Sequence, residues 1–401
     1  FIGLSAFFMS VFSFGQVDTV NVMYYNLLDF PSEEATRVDT LRKIIMYVER
    51  DLFMVTELET LFGANLILGS AMNTDGVSHY QRATYYSGPD TQNMLIYNED
   101  KFGLIEQFQI STDLRDISEY HLYYNEANMN AFTVTVLLWA YCCHLKAGSF
   151  QSDEDRRALE ATQFKNYIDN LNRSGNLIIG GDFNIYSSSE DAWQIILNDG
   201  TVAFNDPINQ LGNWNNNSFY EEIHAQSTRA SSGGFAGGAS GGLDDRFDII
   251  FATDDIIQGN QRLKFLPGSY KSIGNDGNHF NGNINSGTNS AVPQNIANSL
   301  FYMSDHLPVY MEMVIDGIVG VTEYSDVVSS AFYNSLDNTL QLIFKAPVQQ
   351  VELSIFDLSG KQVYHSTQGS LVNPLPDLSI GIYLGKIVTE KGLSTVKFVV
   401  Q

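Results

Sequence analysis

The chain has 401 residues, of which 44% are hydrophobic and 17% charged, so it is long enough for more than one domain and too apolar to be disordered. Asp and Glu number 46 against 22 Lys and Arg, a net charge of −24, which excludes a protein that coats nucleic acid through a basic face. Acidic clusters still gather divalent cations, and a bound ion inverts the local field, so a metal-dependent enzyme acting on an anion stays open.

Residues 1–16, FIGLSAFFMSVFSFGQ, read as the apolar part of a signal peptide, cleaved just before Gln16. A buried first strand is the alternative. No other apolar run approaches the ~20 residues of a membrane span. Val20 to Tyr25 reads as a strand. Leu41, Ile44, Ile45 and Val48 recur at helical spacing and mark a helix face. Leu52 to Leu58, Met94 to Tyr97 and Val134 to Tyr141 follow as strands. Cys142 and Cys143 are adjacent, and a bond between neighbours closes a strained ring, so free thiols on a strand are expected. Ser152–Asp155 (SDED) predicts a capping box, opening a helix with a face of Phe164, Tyr167, Ile168 and Leu171. Strands are predicted at Leu177 to Gly180, Phe247 to Phe251 and Pro308 to Val314. Asn/Gly/Ser-rich loops are expected from Asn205 to Gly242 and from Gly274 to Asn298. From Val327 onward the chain reads as short strands with turns at Ser359–Gly360 and Ser379–Gly381, a small β-domain of its own.

Polar residues cluster where these buried strands end. Asn26 follows VNVMYY, Glu57 ends DLFMVTE, and His144 follows LLWAYCC. Asp182 and Asn184 lie in GGDFN, Asp248 in RFDIIF, and Asp305 and His306 in SDHLPV. Each alone has a plain reading. GGDFN can be a turn with an Asx hydrogen bond, His144 a core histidine, Asp248 a partner for Arg246, and Asn26 a turn cap. Together they are costly to bury unless they share a partner. A divalent cation is the natural partner for Glu57, Asp305 and Asn26, whose hard oxygens suit Mg²⁺, Mn²⁺ or Ca²⁺.

The order NLLDF, TELE, HLKAG, GGDFN, RFDIIF, SDHLPV resembles the endonuclease/exonuclease/phosphatase family over about residues 18–316. The resemblance implies a four-layer α/β/β/α sandwich with the site at one edge of the paired sheets. It implies Glu57 as central metal ligand, helped by Asn26 and Asp305, and Asp182 as the residue that orients or deprotonates the attacking water. It also implies that Asn184 holds the water or a phosphate oxygen, that Asp248 orients His306, and that His306 and His144 contact the phosphate. The carboxylate that pairs with the His144 equivalent in deoxyribonuclease I falls at Thr91, with Asp90 or Asn93 as substitutes. The tail pieces IFDLSGKQV and IGIYLGKI resemble the β-sandwich sorting domain of type IX secretion cargo, and a generic β-sandwich binding module is the alternative.

The expected organisation is therefore a signal remnant at 1–16, a catalytic domain at 17–318 and a sorting domain at 327–401, in a protein secreted or held at the cell surface. The expected partners are the type IX machinery and a phosphodiester substrate. The catalytic core does not separate substrates, and secretion favours a nuclease acting on DNA or RNA, with Arg82, Arg156, Arg229, Lys264 and Lys271 as scattered candidate contacts. Alternatives are a phosphomonoesterase, a sphingomyelinase-like phospholipid phosphodiesterase, and an inactive surface-binding module.

Overall fold

The computed structural model describes residues 16–31, 36–125, 135–233, 237–318, 327–335, 337–357, 361–389 and 391–400. The signal remnant lies outside them except for Gln16, as does the turn at Ser359–Gly360. The chain divides into two compact units, residues 1–319 and 320–401.

The first unit runs in chain order β1 (Gln16–Phe30), α1 (Arg37–Tyr47), β2 (Leu52–Leu58), α2 (Leu61–Leu66), β3 (Tyr80–Arg82), β4 (Gln92–Asn98), β5 (Phe102–Ile110), β6 (Ile117–Tyr124), β7 (Leu137–His144), α3 (Gln151–Asn170), β8 (Leu177–Asp182), α4 (Asp191–Asn198), β9 (Phe204–Asn205), β10 (Asp248–Thr253), α5 (Asp254–Gln258), β11 (Leu263–Phe265), β12 (Lys271–Ser272), α6 (Gln294–Met303) and β13 (Val309–Ile318). One sheet has the order β11-β13-β1-β2-β4-β3, with β12 also on β13, and the other the order β5-β6-β7-β8-β10-β9.

Alternation along the second sheet sorts its side chains into two cores. Ala140 and Cys142 of β7, Ile178 of β8 and Ile250 of β10 face the first sheet and share a core with Val22, Tyr24 and Met54. Tyr141, Cys143, Ile179, Ile249 and Phe251 point the other way, onto Phe164 and Ile168 of α3 and Trp193 and Ile196 of α4. Ile44 and Ile45 of α1 and Ala297 and Leu300 of α6 join the first core. The result is four layers, helix–sheet–sheet–helix, as expected from the sequence. Gly180 sits where the sheets meet. A Cβ there would stand 2.5 Å from Met54 Cε, so a side chain would push the sheets apart. Both cysteines are free and buried.

Three local expectations are corrected. The α3 helix begins at Gln151, and the Asp153 carboxylate accepts from the Phe150 N–H at 3.2 Å, so Ser152 is not its cap. Leu171 is 46% exposed rather than part of the buried face. The second polar loop ends in α6, whose Ile296, Ala297, Leu300 and Met303 are buried.

The second unit pairs a three-stranded sheet (Val328–Asn334, Thr339–Phe344, Val372–Pro374) with a four-stranded one (Val351–Asp357, Gln362–Ser366, Gly381–Thr389, Gly392–Val400). Leu340, Leu342, Leu353, Ile355 and Ile387 form one core between them, a small β-sandwich.

Candidate active site

The alternation that builds the core also builds the site. Two residues past Cys142 and Gly180, on the same face, stand His144 and Asp182, and two residues before Ile250 stands Asp248. His144 is register partner of Asp182 across the parallel β7–β8 pair, and Asp182 is register partner of Asp248 across the antiparallel β8–β10 pair. Three strand ends thus place His144, Asp182 and Asp248 in one row at the same edge. The first sheet supplies Asn26 from β1, Glu57 from β2, and Asp305 and His306 from the turn that enters β13.

Backbone bends turn the acidic groups inward. Both ladders slip at Glu57, between Asn26 and Phe30 on one side and between Val55 and Leu58 on the other. Glu57, Leu28, Asp29 and Asn184 have φ of 55°, 50°, 43° and 52°, the left-handed region. Each such residue costs about 1–3 kcal/mol, strain that gathers at functional sites. The bends are fixed by hydrogen bonds. Asp29 N donates to Glu57 Oε2 at 3.0 Å. The buried Arg37 guanidinium donates to the carbonyls of Leu27, Leu28 and Met303, tying β1 to the end of α6.

The predicted residues come together. Asn26 Nδ2 donates to Glu57 Oε1 at 2.9 Å and to Asp182 Oδ2 at 3.1 Å. Asp182 Oδ1 accepts from Asn184 N at 3.1 Å, so GGDFN is an Asx turn and part of the site at once. His306 Nδ1 lies 2.7 Å from Asp248 Oδ2, while Arg246 pairs with Asp206 instead. A cleft of about 310 Å³ is lined by Glu57, His144, Asp182, Asn184, Asp305 and His306, together with Asp29, Asp90, Arg115 and Gln226.

The electrostatics are lopsided. Burial pushes Glu57 up to about 7 and also raises Asp182 and Asp248, with His306 pulling each back down. Burial alone would lower His306, but Asp248, Asp305 and Asp182 hold it well above the usual histidine value. His144 goes the other way, well below that value, through burial, Arg115 and His306. His144 Nδ1 and Asp248 Oδ1 are buried with no hydrogen-bond partner.

A divalent cation fits this donor set. Ligand atoms of Glu57, His144 and Asp182 lie within 4.8 Å of one another, as do those of Asp182, Asp248 and His306. Opposite ligands of a hard cation stand about 4–5 Å apart. Two of the expected ligands behave differently from the sequence-based expectation. Asn26 turns its NH₂ to the carboxylates and its oxygen to Leu28 N. Asp305 belongs to neither close group, and its Oδ2 accepts from Ala239 N at 2.6 Å and Gln226 Nε2 at 3.1 Å. Gly238 makes that contact possible, since a Cβ there would stand 3.0 Å from Asp305 Cγ.

The expected partner of His144 is also corrected. Thr91 Oγ1 bonds nothing, Asp90 Oδ2 lies 2.8 Å from Arg115 Nε, and Asn93 donates to the carbonyls of Asp116 and Cys142. His144 instead faces Glu57 Oε1 at 3.8 Å and Asp182 Oδ2 at 3.5 Å. None of Arg82, Arg156, Arg229, Lys264 and Lys271 lines the cleft. Arg229 is buried on the Phe301 and Gly237 carbonyls, and Arg156 reaches Asp113. The cation that does line it is Arg115, placed by the turn entering β6 and masked in sequence by the acidic residues around it. Gln226, Arg37 and Arg115 carry no signal in the sequence that points to the site.

Residues 332–401 match the family of secretion system C-terminal sorting domains. The protein is secreted or held at the cell surface, and its tail engages the type IX machinery. Among the described residues no helix is long and apolar enough to cross a membrane. No curated protein matches the chain. Solved structures that resemble it include a humanized TDP2 from D. rerio, 12% identical, TM-score 0.47, covering 74% of this chain and 98% of that one. An endonuclease/exonuclease/phosphatase family protein from Bacteroides thetaiotaomicron is 16% identical, TM-score 0.44, covering 76% and 97%. A mannosyl-6-phosphatase of the same organism is 15% identical, TM-score 0.45, covering 73% and 99%.

Proposed function

We propose that the first unit is a divalent-metal-dependent phosphoester hydrolase that attacks phosphorus with water. The observation that supports it best is the gathering of Glu57, Asp182, Asp248, His144 and His306 at one edge of two sheets, with more carboxylates than cations. Glu57 would be the central ligand, with Asp182, His144 and Asp305 placed to help hold the ion, which when bound would supply positive charge to the phosphate oxygens. Asp182 is held by the Asn26 amide and the Asn184 N–H, so one carboxylate oxygen is fixed to orient a water and take its proton. His306, kept cationic and oriented by Asp248, donates through Nε2 to a non-bridging oxygen. Asn184 anchors its amide on the Leu145 carbonyl and borders the water's position. Arg115 adds a second cationic contact at the wall.

The cleft favours a compact phosphate ester. It is small, and the cations expected to track a polymer lie outside it. Hydrolysis of DNA or RNA is the second reading, favoured by export of the protein. One experiment tests both. The full chain is assayed on p-nitrophenyl phosphate, bis(p-nitrophenyl) phosphate, plasmid DNA, RNA and sphingomyelin, with chelator and then with added Mg²⁺ or Mn²⁺. Hydrolysis is expected to vanish in chelator and return with metal. Full activity in chelator sinks the mechanism, and preferred turnover of DNA or RNA promotes the second reading.

A further inference from the structure

The histidine that ends β7 has no carboxylate behind it. Thr91 stands at the expected place, and its Oγ1 bonds nothing. Asp90 is taken by Arg115, and Asn93 by two backbone carbonyls. Both ring nitrogens of His144 face the acidic groups of the cleft instead. Nε2 stands 3.5 Å from Asp182 Oδ2, and Nδ1 stands 3.8 Å from Glu57 Oε1. Nδ1 is buried without a hydrogen-bond partner. Glu57 Oε1 accepts from Asn26 Nδ2 at 2.9 Å and keeps a second lone pair. The gap of 3.8 Å between Nδ1 and Oε1 is too long for a hydrogen bond. A single ion with bonds of about 2.0–2.2 Å to each atom can bridge it.

We propose that His144 Nδ1 is a direct ligand of the cation that Glu57 holds, and that this nitrogen selects a first-row transition-metal ion over Mg²⁺. Mg²⁺ demands a near-octahedral set of oxygens and keeps several waters. Imidazole nitrogen suits the transition metals, and carboxylates accept them too. A mixed set of carboxylate and imidazole therefore fits those ions better than it fits Mg²⁺. With Nδ1 on the ion, Nε2 is left beside the Asp182 carboxylate, the kind of neighbour that orients a ligating histidine. The phosphate contact at this wall then falls to Arg115, which also lines the cleft. Mn²⁺ is the strictest probe, because it binds most weakly of its series.

The inference rests on the cleft being a metal site, and the test separates the two. The full chain is stripped of metal and titrated with Mn²⁺ and with Mg²⁺ by calorimetry, for wild type, His144→Gln and His306→Gln. Electron spin-echo spectra of the Mn²⁺-loaded proteins read whether a nitrogen is bound to the ion, and thermal midpoints confirm folding. Wild type is expected to bind Mn²⁺ at least about tenfold more tightly than Mg²⁺ and to show a bound nitrogen. His144→Gln is expected to lose that nitrogen and most of the Mn²⁺ preference, while its Mg²⁺ dissociation constant stays within about threefold. His306→Gln is expected to keep the nitrogen. Mn²⁺ bound without nitrogen in wild type overturns the inference and leaves the metal site standing. So does a nitrogen that survives in His144→Gln or vanishes in His306→Gln, and so does equal affinity of wild type for the two ions. If His144→Gln does not fold, the wild-type and His306→Gln spectra decide. Binding of neither ion to wild type overturns the metal site and the inference together.

Discussion

Buried charge occurs in two forms in the first unit. On the outer side of the second sheet two buried carboxylates each have their own guanidinium. Arg157 meets Glu190 at 2.7 and 2.9 Å and spends its other donors on the carbonyls of Lys146 and Gly148. Arg246 meets Asp206 at 2.7 and 2.9 Å and reaches the Gln210 carbonyl. In the cleft the count is unequal. Glu57, Asp182, Asp248 and Asp305 share His306 as their cationic partner, and Arg115 is engaged by Asp90. Matched pairs satisfy their own desolvation cost, whereas an unmatched cluster does not. An arrangement that burial drives toward protonation, as it drives Glu57 to about 7, lacks a positive charge that something outside the chain can supply.

The largest expected effect breaks the unmatched cluster at its centre. Asp182→Asn keeps the shape and removes the base, so turnover is expected to fall by about 10³-fold or more. Stability should not fall with it. Asp182 has a folded-state value of about 6, above the unfolded value of about 3.9. The native state therefore binds the extra proton, and metal-free stability declines as pH rises from about 4 through 6. Melting curves across that range should show the decline in wild type and a smaller one in Asp182→Asn. A midpoint in the variant several degrees lower at pH 7 would mean that the carboxylate is structural.

The matched pairs should respond in the opposite way. Arg246→Ala leaves Asp206 buried with only backbone N–H partners and no cation, which costs about 3–5 kcal/mol. Denaturant titration should register that loss, while turnover per folded molecule stays near wild type. Arg115→Ala lies between the two cases, because the guanidinium borders the cleft but is held by a half-exposed carboxylate. Its loss is expected to lower kcat/KM by about 10–100-fold, as for one charge-assisted hydrogen bond, with little change in melting. A variant of wild-type kcat/KM would remove Arg115 from the site.

The same contrast explains how much could be read from sequence. His144, Asp182 and Asp248 were legible because a strand has period 2, and a polar group two residues along from a buried one must face the same core. SDHLPV and GGDFN were legible through their order along the chain. Gln226 and Arg115 were not, because they stand on turns whose direction depends on which strands become neighbours. The α6 helix carries an apolar face at Ile296, Leu300 and Met303, yet Asn and Ser around it hid the period. The ligand roles of Asn26 and Asp305 could not be settled by residue type. An amide offers a donor as readily as an acceptor, and Asn26 donates here.

The smallest expected effect on catalysis is removal of the tail, a region with neither form of buried charge. Among the described residues its buried polar groups are Thr339, Ser354, Asn373 and Ser394, all neutral. Its apolar core is made of its own residues, Leu340, Leu353, Ile355 and Ile387 among them. In the first unit β13 closes the sheet before residue 319, pairing with β1 from Asp18 to Tyr24. Each unit thus has its own core, as an independently folding domain requires. Deleting residues 327–401 should leave turnover within about twofold of the full chain and the melting of the first unit within about 0.5 kcal/mol, the usual range for changes remote from a core. Export should be lost. The measurement is the specific activity of the truncated protein beside its distribution between cells and medium. Normal amounts of truncated enzyme in the medium would mean that the tail is not what carries this protein out, and a tenfold fall in specific activity would mean that the catalytic edge depends on it.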